Sequence, residues 1–220
     1  MQIMSDQNTP NRCRIVLITP PDGPGIDERV ASALGGGDVA SLIVPNYGRD
    51  EATFQDFAGR MTGIAHEHNV ACVVAGEPRI AARVHADGVH IEGSLEDLEE
   101  AIEKHQAKMM IGCGDIRTRD DAMVFGEAEP DYLFFGKFGF DTKPEPHPRN
   151  LALGEWWSEV MQLPCIVLAG SDIASVIAVA KTGADFVAIG NAVFGEGVEP
   201  AKMVAEANAL LDASAPRFEE

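Results

Sequence analysis

Basic residues are scarce. Seventeen Lys and Arg stand against 35 Asp and Glu, a formal net charge of −18. A chain of that sign repels polyphosphate backbones and anionic bilayers, which excludes nucleic acid and membrane as partners. Small anions are not excluded, because a few backbone N–H groups and one lysine can hold a phosphate locally whatever the overall charge. The acidic residues are spread along helical stretches such as Glu96, Asp97, Glu99, Glu100 and Glu103, where a solvated face accounts for them. Cysteine is sparse as well. Cys13, Cys72, Cys113 and Cys165 lie far apart, show no zinc or redox spacing, and each falls in or at the end of an apolar run. Small buried side chains and no disulfides are expected. No apolar run reaches the length of a membrane span. Residues 1–12 are polar and lack the apolar core of a signal peptide, so a frayed leader and a cytoplasmic location are expected. Walker A, G-x-S-x-G, H-E-x-x-H and dinucleotide fingerprints are all missing.

What the chain does contain is an alternation. Short apolar runs over 14–19, 39–44, 70–74, 88–91, 108–112, 132–135, 165–169 and 186–189 read as strands. Amphipathic stretches over 27–34, 51–68, 78–85, 94–106, 118–125, 151–161, 173–181 and 200–211 read as helices. The strands are apolar on both faces, as in a parallel sheet covered by helices. Eight such units in 220 residues predict a single-domain α/β fold, a (β/α)8 TIM barrel over 13–212 with an acidic tail at 213–220. Ala-Asp leads into a strand at Ala86-Asp87 and at Ala184-Asp185, with Pro130-Asp131 a looser copy. The physical reading is a helix-to-strand turn in which Asp accepts backbone N–H groups.

In this fold, function sits at the C-terminal ends of the strands. After the seventh strand comes Ala169-Gly170-Ser171-Asp172, and after the eighth Gly190-Asn191-Ala192. Both turns bring glycine to a point of close backbone approach and open into helical turns, so Gly170, Ser171, Gly190 and Asn191 are expected to hold a phosphate. The long loop 136–150 after the sixth strand carries Lys137, Thr142, Lys143, His147 and Arg149, a basic stretch in an acidic protein. Such a loop can close a cation onto a phosphorylated small molecule; a solvated surface loop is the plainer reading. Glu77, Glu92 and Asp115 fall at other strand ends, where their oxygens could bind Mg²⁺ or simply cap and solvate. His90, among apolar neighbours, reads as a satisfied barrel residue. Of Trp156-Trp157, one ring is expected on the barrel and the other at an interface, which leaves room for a homo-oligomer.

Ala86-Asp87-Gly88-Val89-His90 resembles a segment of the thiamine phosphate synthases and their TenI-like relatives. The similarity continues in order through Asp131-Tyr132, Thr142-Lys143 and Thr182-Gly183-Ala184-Asp185 to Ala192-Val193-Phe194. It implies a transferase that joins a pyrimidine diphosphate to a thiazole phosphate with Mg²⁺, releasing diphosphate. The resemblance places the thiazole phosphate on Gly170-Ser171 and Gly190-Asn191 and matches the family's Thr-Lys loop pair to Thr142-Lys143, while Lys137 on the same loop is a candidate phosphate ligand from the basic composition of the loop. Lys143 would neutralise the leaving diphosphate, and Glu77 and Glu92 would hold the metal. The chain departs from the family pattern elsewhere. A Gln, Arg and Lys are expected after the second strand, where Pro45-Asn46-Tyr47-Gly48-Arg49 stands. Ala75-Gly76 replaces an Asn-Asp pair, and Glu92-Gly93-Ser94-Leu95 replaces a Gly-Gln-acid-Asp run. Gly114 replaces a Ser, and Ile116 stands near a tautomerase His. The alternative implied by these losses is a non-synthase barrel that binds a phosphorylated small molecule, regulatory or of different chemistry.

Overall fold

A computed structural model of the chain describes residues 9–21 and 23–218; most of the expected leader and the last two residues of the acidic tail lie outside these. Eight parallel strands close in sequence order into a barrel: β1 Arg14–Ile18, β2 Ser41–Pro45, β3 Ala71–Ala75, β4 Gly88–Ile91, β5 Met110–Cys113, β6 Tyr132–Phe135, β7 Cys165–Leu168 and β8 Phe186–Ile189. The connecting helices are α1 Ile26–Leu34, α2 Glu51–Glu67, α3 Pro78–Arg83, α4 Leu95–His105, α5 Arg119–Glu127, α6 Pro148–Val160 and α7 Val176–Ala180. A short α8 Asn191–Phe194 and the final α9 Pro200–Ser214 follow β8. The expected TIM barrel is therefore the fold.

Alternate strand residues pack in two directions. Val16, Ile18, Ile43, Val73, Ala75, Tyr132, Phe134, Ile166, Leu168 and Ala188 form one buried cluster that fills the barrel. Their neighbours, such as Ile15, Leu17, Leu42, Val44, Leu133 and Phe135, belong to the cluster shared with the helices. β5 gives way to β6 inside the barrel: Gly112 pairs with Tyr132, and a Cβ at 112 would collide with the tyrosine ring.

The feet of the strands show how the register is set. Asp87 Oδ2 accepts from Cys72 N at 2.8 Å, Asp131 Oδ2 from Ile111 N at 2.7 Å, and Asp185 Oδ2 from Cys165 N at 2.9 Å. Each Asp precedes an even strand and holds the first turnward N–H of the odd strand before it. The Ala-Asp segments are thus turn devices, as their sequence suggests. Ser94 and Asp97 form a reciprocal capping box on α4, and Thr118 and Asp121 form a second on α5.

Most element ends shift by one to three residues from the sequence reading, and 173–181 divides into a 3-10 turn, Ile173–Ser175, and α7; two differences have a clear physical cause. The loop after β6 ends earlier than 150, because Pro148 starts α6 at its first turn and the His147 ring accepts from Arg149 N. Arg12, assigned to the frayed leader, is buried at 1% exposure. Its Nε donates to Asp212 Oδ1 at 2.8 Å, Nη2 to Asn208 Oδ1 at 3.0 Å and Nη1 to Cys13 O at 2.9 Å, which ties the start of β1 to α9. Trp157 is fully buried, packs edge-on to Phe135, and donates from Nε1 to Leu163 O at 2.7 Å, while Trp156 carries the Arg119 guanidinium over its ring. Replacing Arg12 with Ala removes charge-assisted bonds across the seam and is expected to cost about 2–3 kcal/mol of unfolding free energy, read from urea denaturation. No change on Arg12→Ala would show that α9 is held by its apolar face alone.

Candidate functional site

The site begins where β7 and β8 stop. Gly170 is buried against the loop that joins β6 to α6, and a Cβ there would collide with the Pro144 carbonyl. Gly170 N donates to Ser175 Oγ at 3.0 Å, Ser171 N to Lys143 O at 2.7 Å and Asp172 N to Pro144 O at 3.3 Å. At the end of β8, Asn191 N donates to Asp141 Oδ2 at 2.6 Å, and Asn191 Nδ2 donates to Asp141 O at 3.0 Å and Oδ1 at 3.2 Å. A Cβ on Gly190 would stand 2.9 Å from Asp141 Oδ2. The structure therefore brings Gly170, Ser171, Gly190 and Asn191 together with the Thr142-Lys143 segment on one edge of the mouth. The N–H groups of Ser171, Asp172 and Asn191 point to the loop, where the Lys143 and Pro144 carbonyls and the Asp141 carboxylate accept them, while Gly170 N turns to Ser175 Oγ.

Lys137, Thr142 and Lys143 are all exposed, and Lys137 Nζ lies 4.6 Å from the Phe140 ring centroid. They line a cavity of about 710 Å³ with Arg117, Asp141 and Arg149. Neither lysine forms an ion pair among the described residues. Asp141 went unnoticed in the sequence. The available signal was its position as an acidic residue directly before Thr142-Lys143 in an otherwise basic segment.

The opposite edge is different in character. A cavity of about 540 Å³ there is lined by Asn46, Gly76, Glu77, His90, Ile91 and Glu92, among others. Arg49 is held off: its Nη1 donates to Asn46 O at 2.9 Å and its guanidinium carbon sits 4.0 Å over the Phe57 ring. Thr19 Oγ1, Asn46 Oδ1, Arg49 Nη2 and His90 Nε2 are buried atoms that make no hydrogen bond with the protein. Tyr47, at a left-handed φ of 52°, donates from its hydroxyl to Thr19 O at 3.1 Å. It closes the mouth from the β2 side. Phe138 closes it from the β6 side, where it joins the barrel-filling cluster.

His90 is satisfied on one nitrogen only. Nδ1 meets the Tyr132 hydroxyl at 3.0 Å, and the ring packs against Phe134 and Phe138 with centroids 5.6 and 5.1 Å away. Burial pushes its pKa down from 6.5 to about 3, so the imidazole is neutral at physiological pH. A Cβ at Gly114 would lie 2.7 Å from His90 Nε2. The histidine ring and a serine at 114 would compete for one space, which gives that departure a steric reason.

The carboxylates do not gather into a full cage. Among the described residues, no group of three or more His, Cys, Asp or Glu could hold a metal ion. Asp115 is paired with Arg117 Nη2 at 2.8 Å. Glu77 caps α3 by position and is exposed. The Glu92 carboxyl is raised above its ordinary pKa by partial burial and by Asp115, with Lys137 opposing. Glu77, Glu92 and Asn46 share the smaller cavity, a set of hard oxygen donors.

Residues 15–193 match the family model described as thiamine monophosphate synthase. The chain is 31% identical over 204 residues to the thiamine-phosphate synthase of Rhodospirillum centenum, covering 90% of this chain and 98% of the relative. It is 32% identical over 222 residues to that of Hyphomonas neptunium, covering 96% of this chain and the whole of the relative. Among solved structures it is similar to a thiamine phosphate pyrophosphorylase from Pyrococcus furiosus, with a TM-score of 0.76, 20% identity, and coverage of 93% and 98% of the two chains. No helix among the described residues is long and apolar enough to cross a membrane.

The neutral His90 has a measurable consequence. Its folded pKa lies below its unfolded one, so the unfolded chain binds the extra proton as pH falls. The stabilising effect is complete above pH 6.5 and is lost between 6.5 and about 3. Wild type is expected to lose stability relative to His90→Gln by up to about 1.4 kcal/mol per pH unit across that window, measured by urea unfolding at a series of pH values. A difference independent of pH would mean that the imidazole is accessible to protons.

Proposed function

The chain belongs to the thiamine monophosphate synthase family, and from that premise we propose that it is a transferase joining a pyrimidine diphosphate to a thiazole phosphate with release of diphosphate. The observation that carries this reading is the convergence of Gly170-Ser171, Gly190-Asn191 and Thr142-Lys143 on one edge of the mouth. Backbone N–H groups of that kind suit a phosphate monoester, and the exposed lysines stand beside it. In the reaction, the bond from the pyrimidine methylene to the diphosphate oxygen breaks and its electron pair leaves with diphosphate. The thiazole nitrogen lone pair then forms the new C–N bond, giving a cationic thiazolium.

On this reading Thr142 and Lys137 bind the ligand's anionic groups and Lys143 neutralises charge growing on the leaving diphosphate. The reacting rings lie over the barrel axis, where Asn46 Oδ1 and His90 Nε2 are free to hydrogen-bond. Tyr47 covers the rings from the β2 side and excludes water there. Glu77 and Glu92 would hold Mg²⁺ together with diphosphate oxygens, since this ion is commonly bound by one or two carboxylates plus substrate phosphates. When bound, the ion would offset diphosphate charge. The partners are then two phosphorylated small molecules, met in the cytoplasm.

One observation favours a second reading. Arg49 is turned onto Phe57, so the diphosphate edge has lost a cation that the resemblance calls for. A barrel that binds a phosphorylated small molecule for another purpose would look the same. Diphosphate release from both substrates with Mg²⁺ separates the two. Turnover is expected with the wild-type chain, and Lys143→Ala should lower it by about 100-fold or more. If folded protein releases nothing above a buffer blank, and calorimetry shows thiazole phosphate binding without the pyrimidine diphosphate, the second reading replaces the first.

A further inference from the structure

The loop between β6 and α6 exposes its lysines and buries its aspartate. Lys137, Thr142, Lys143, His147 and Arg149 are exposed, whereas Asp141 is 6% exposed. A buried carboxylate ordinarily needs a cation. Asp141 has none within ion-pair distance among the described residues. Its compensation comes from Asn191, through the backbone N at 2.6 Å and the side-chain amide at 3.2 Å. The residue at 190 leaves room for this oxygen only because it is glycine. The same loop engages Ser171 N with the Lys143 carbonyl at 2.7 Å. A phosphate on Ser171 N and Asn191 N and the loop in this position exclude one another.

We propose that Asp141 is an internal competitor for the ligand's phosphate: a phosphorylated ligand gains Asn191 and Ser171 only by displacing this carboxylate and lifting the loop from 137 to 144. The inference rests on the phosphate-site reading above and adds a specificity element to it. A monocarboxylate offers Asn191 no more than Asp141 already does. A phosphate dianion carries more charge and a third oxygen, so it can take Asn191 N and Ser171 N together. The site thereby discriminates against ligands bearing a single carboxylate. Displacement also moves Phe138, three residues earlier in the loop, whose ring packs on His90 at 5.1 Å. Arrival of the phosphate and uncovering of the barrel axis become one event.

The test is calorimetric titration of the full chain with inorganic phosphate and with thiazole phosphate, comparing wild type, Asp141→Asn and Asp141→Ser. The Asn variant keeps an oxygen acceptor for Asn191 and removes the charge; the Ser variant removes bulk as well. Thermal unfolding confirms that each is folded. Both variants are expected to bind phosphate at least tenfold more tightly than wild type. Wild type binding as tightly as, or more tightly than, both variants would overturn the role of Asp141 and leave the phosphate site standing. Absence of binding to all three folded proteins would instead overturn the phosphate site, and this inference with it.

Discussion

Three strand pairs of the barrel share one repeated contact at their feet, and the placement of β4, β6 and β8 depends on it. At these feet an odd strand leaves an N–H group near its start facing the helix-to-strand turn that leads into the next strand, where an unpaired donor would be costly. Asp87, Asp131 and Asp185 each accept such a donor from the neighbouring odd strand. Asp38 does related work before β2 by gripping Arg14 through both carboxylate oxygens, at 2.7 and 3.0 Å. The contact joins one βα unit to the next, and it sets where each even strand starts. Since the side-chain period of a strand is two, a slip of one residue would turn Val16, Val73 or Phe134 out of the barrel. Everything at the mouth, a strand's length away, inherits its position from these turns.

With strand ends placed, the two edges of the mouth acquire opposite characters. The β6–β8 edge offers glycine turns and a loop rich in lysine. The β2–β4 edge offers Glu77, Glu92 and Asn46, with Arg49 drawn away onto Phe57. Between them, Tyr47 and Phe138 sit over a floor made by His90, Tyr132 and Phe134. The floor is apolar except for the bonded His90 Nδ1–Tyr132 hydroxyl pair and the unpartnered His90 Nε2. Burial keeps His90 neutral, so it can exchange a hydrogen bond with a ligand without adding charge to the site.

The strands at 88–91, 132–135 and 186–189 were legible to the residue, because the Ala-Asp or Pro-Asp turn before each marks the start and a glycine or charged residue marks the end. The glycine turns after β7 and β8 were legible for the same reason, being defined by their distance from a strand. What escaped sequence reading was long-range pairing. Arg12 sits in a polar stretch and takes its meaning from Asp212, 200 residues away. Asp141 lies in a basic loop and takes its meaning from Asn191, 50 residues on. Local pattern carries no trace of such partners. His90 was half legible: its burial follows from apolar neighbours, but the free Nε2 follows from Gly114, which a strand pattern treats as a gap.

The departures on the β2–β4 edge are connected to one another through packing. Gly114 is the residue that lets the His90 ring lie as it does, and Phe138 then packs edge-on against that ring. Arg49 bonds to the carbonyl of Asn46, whose side-chain oxygen faces the same cavity as His90. Restoring one residue alone would therefore disturb its neighbours: a serine at 114 would displace His90, and with it the contact that seats the loop. An acidic edge facing a diphosphate also raises the electrostatic demand on whatever cation accompanies it. Like charges a few ångströms apart repel by about 4 kcal/mol at an effective dielectric near 20. Lys137 already offsets Glu92 from across the mouth. On the proposed function, binding of a diphosphate beside Glu77 and Glu92 would thus depend on a divalent ion more strongly than beside an edge lined with arginine and lysine.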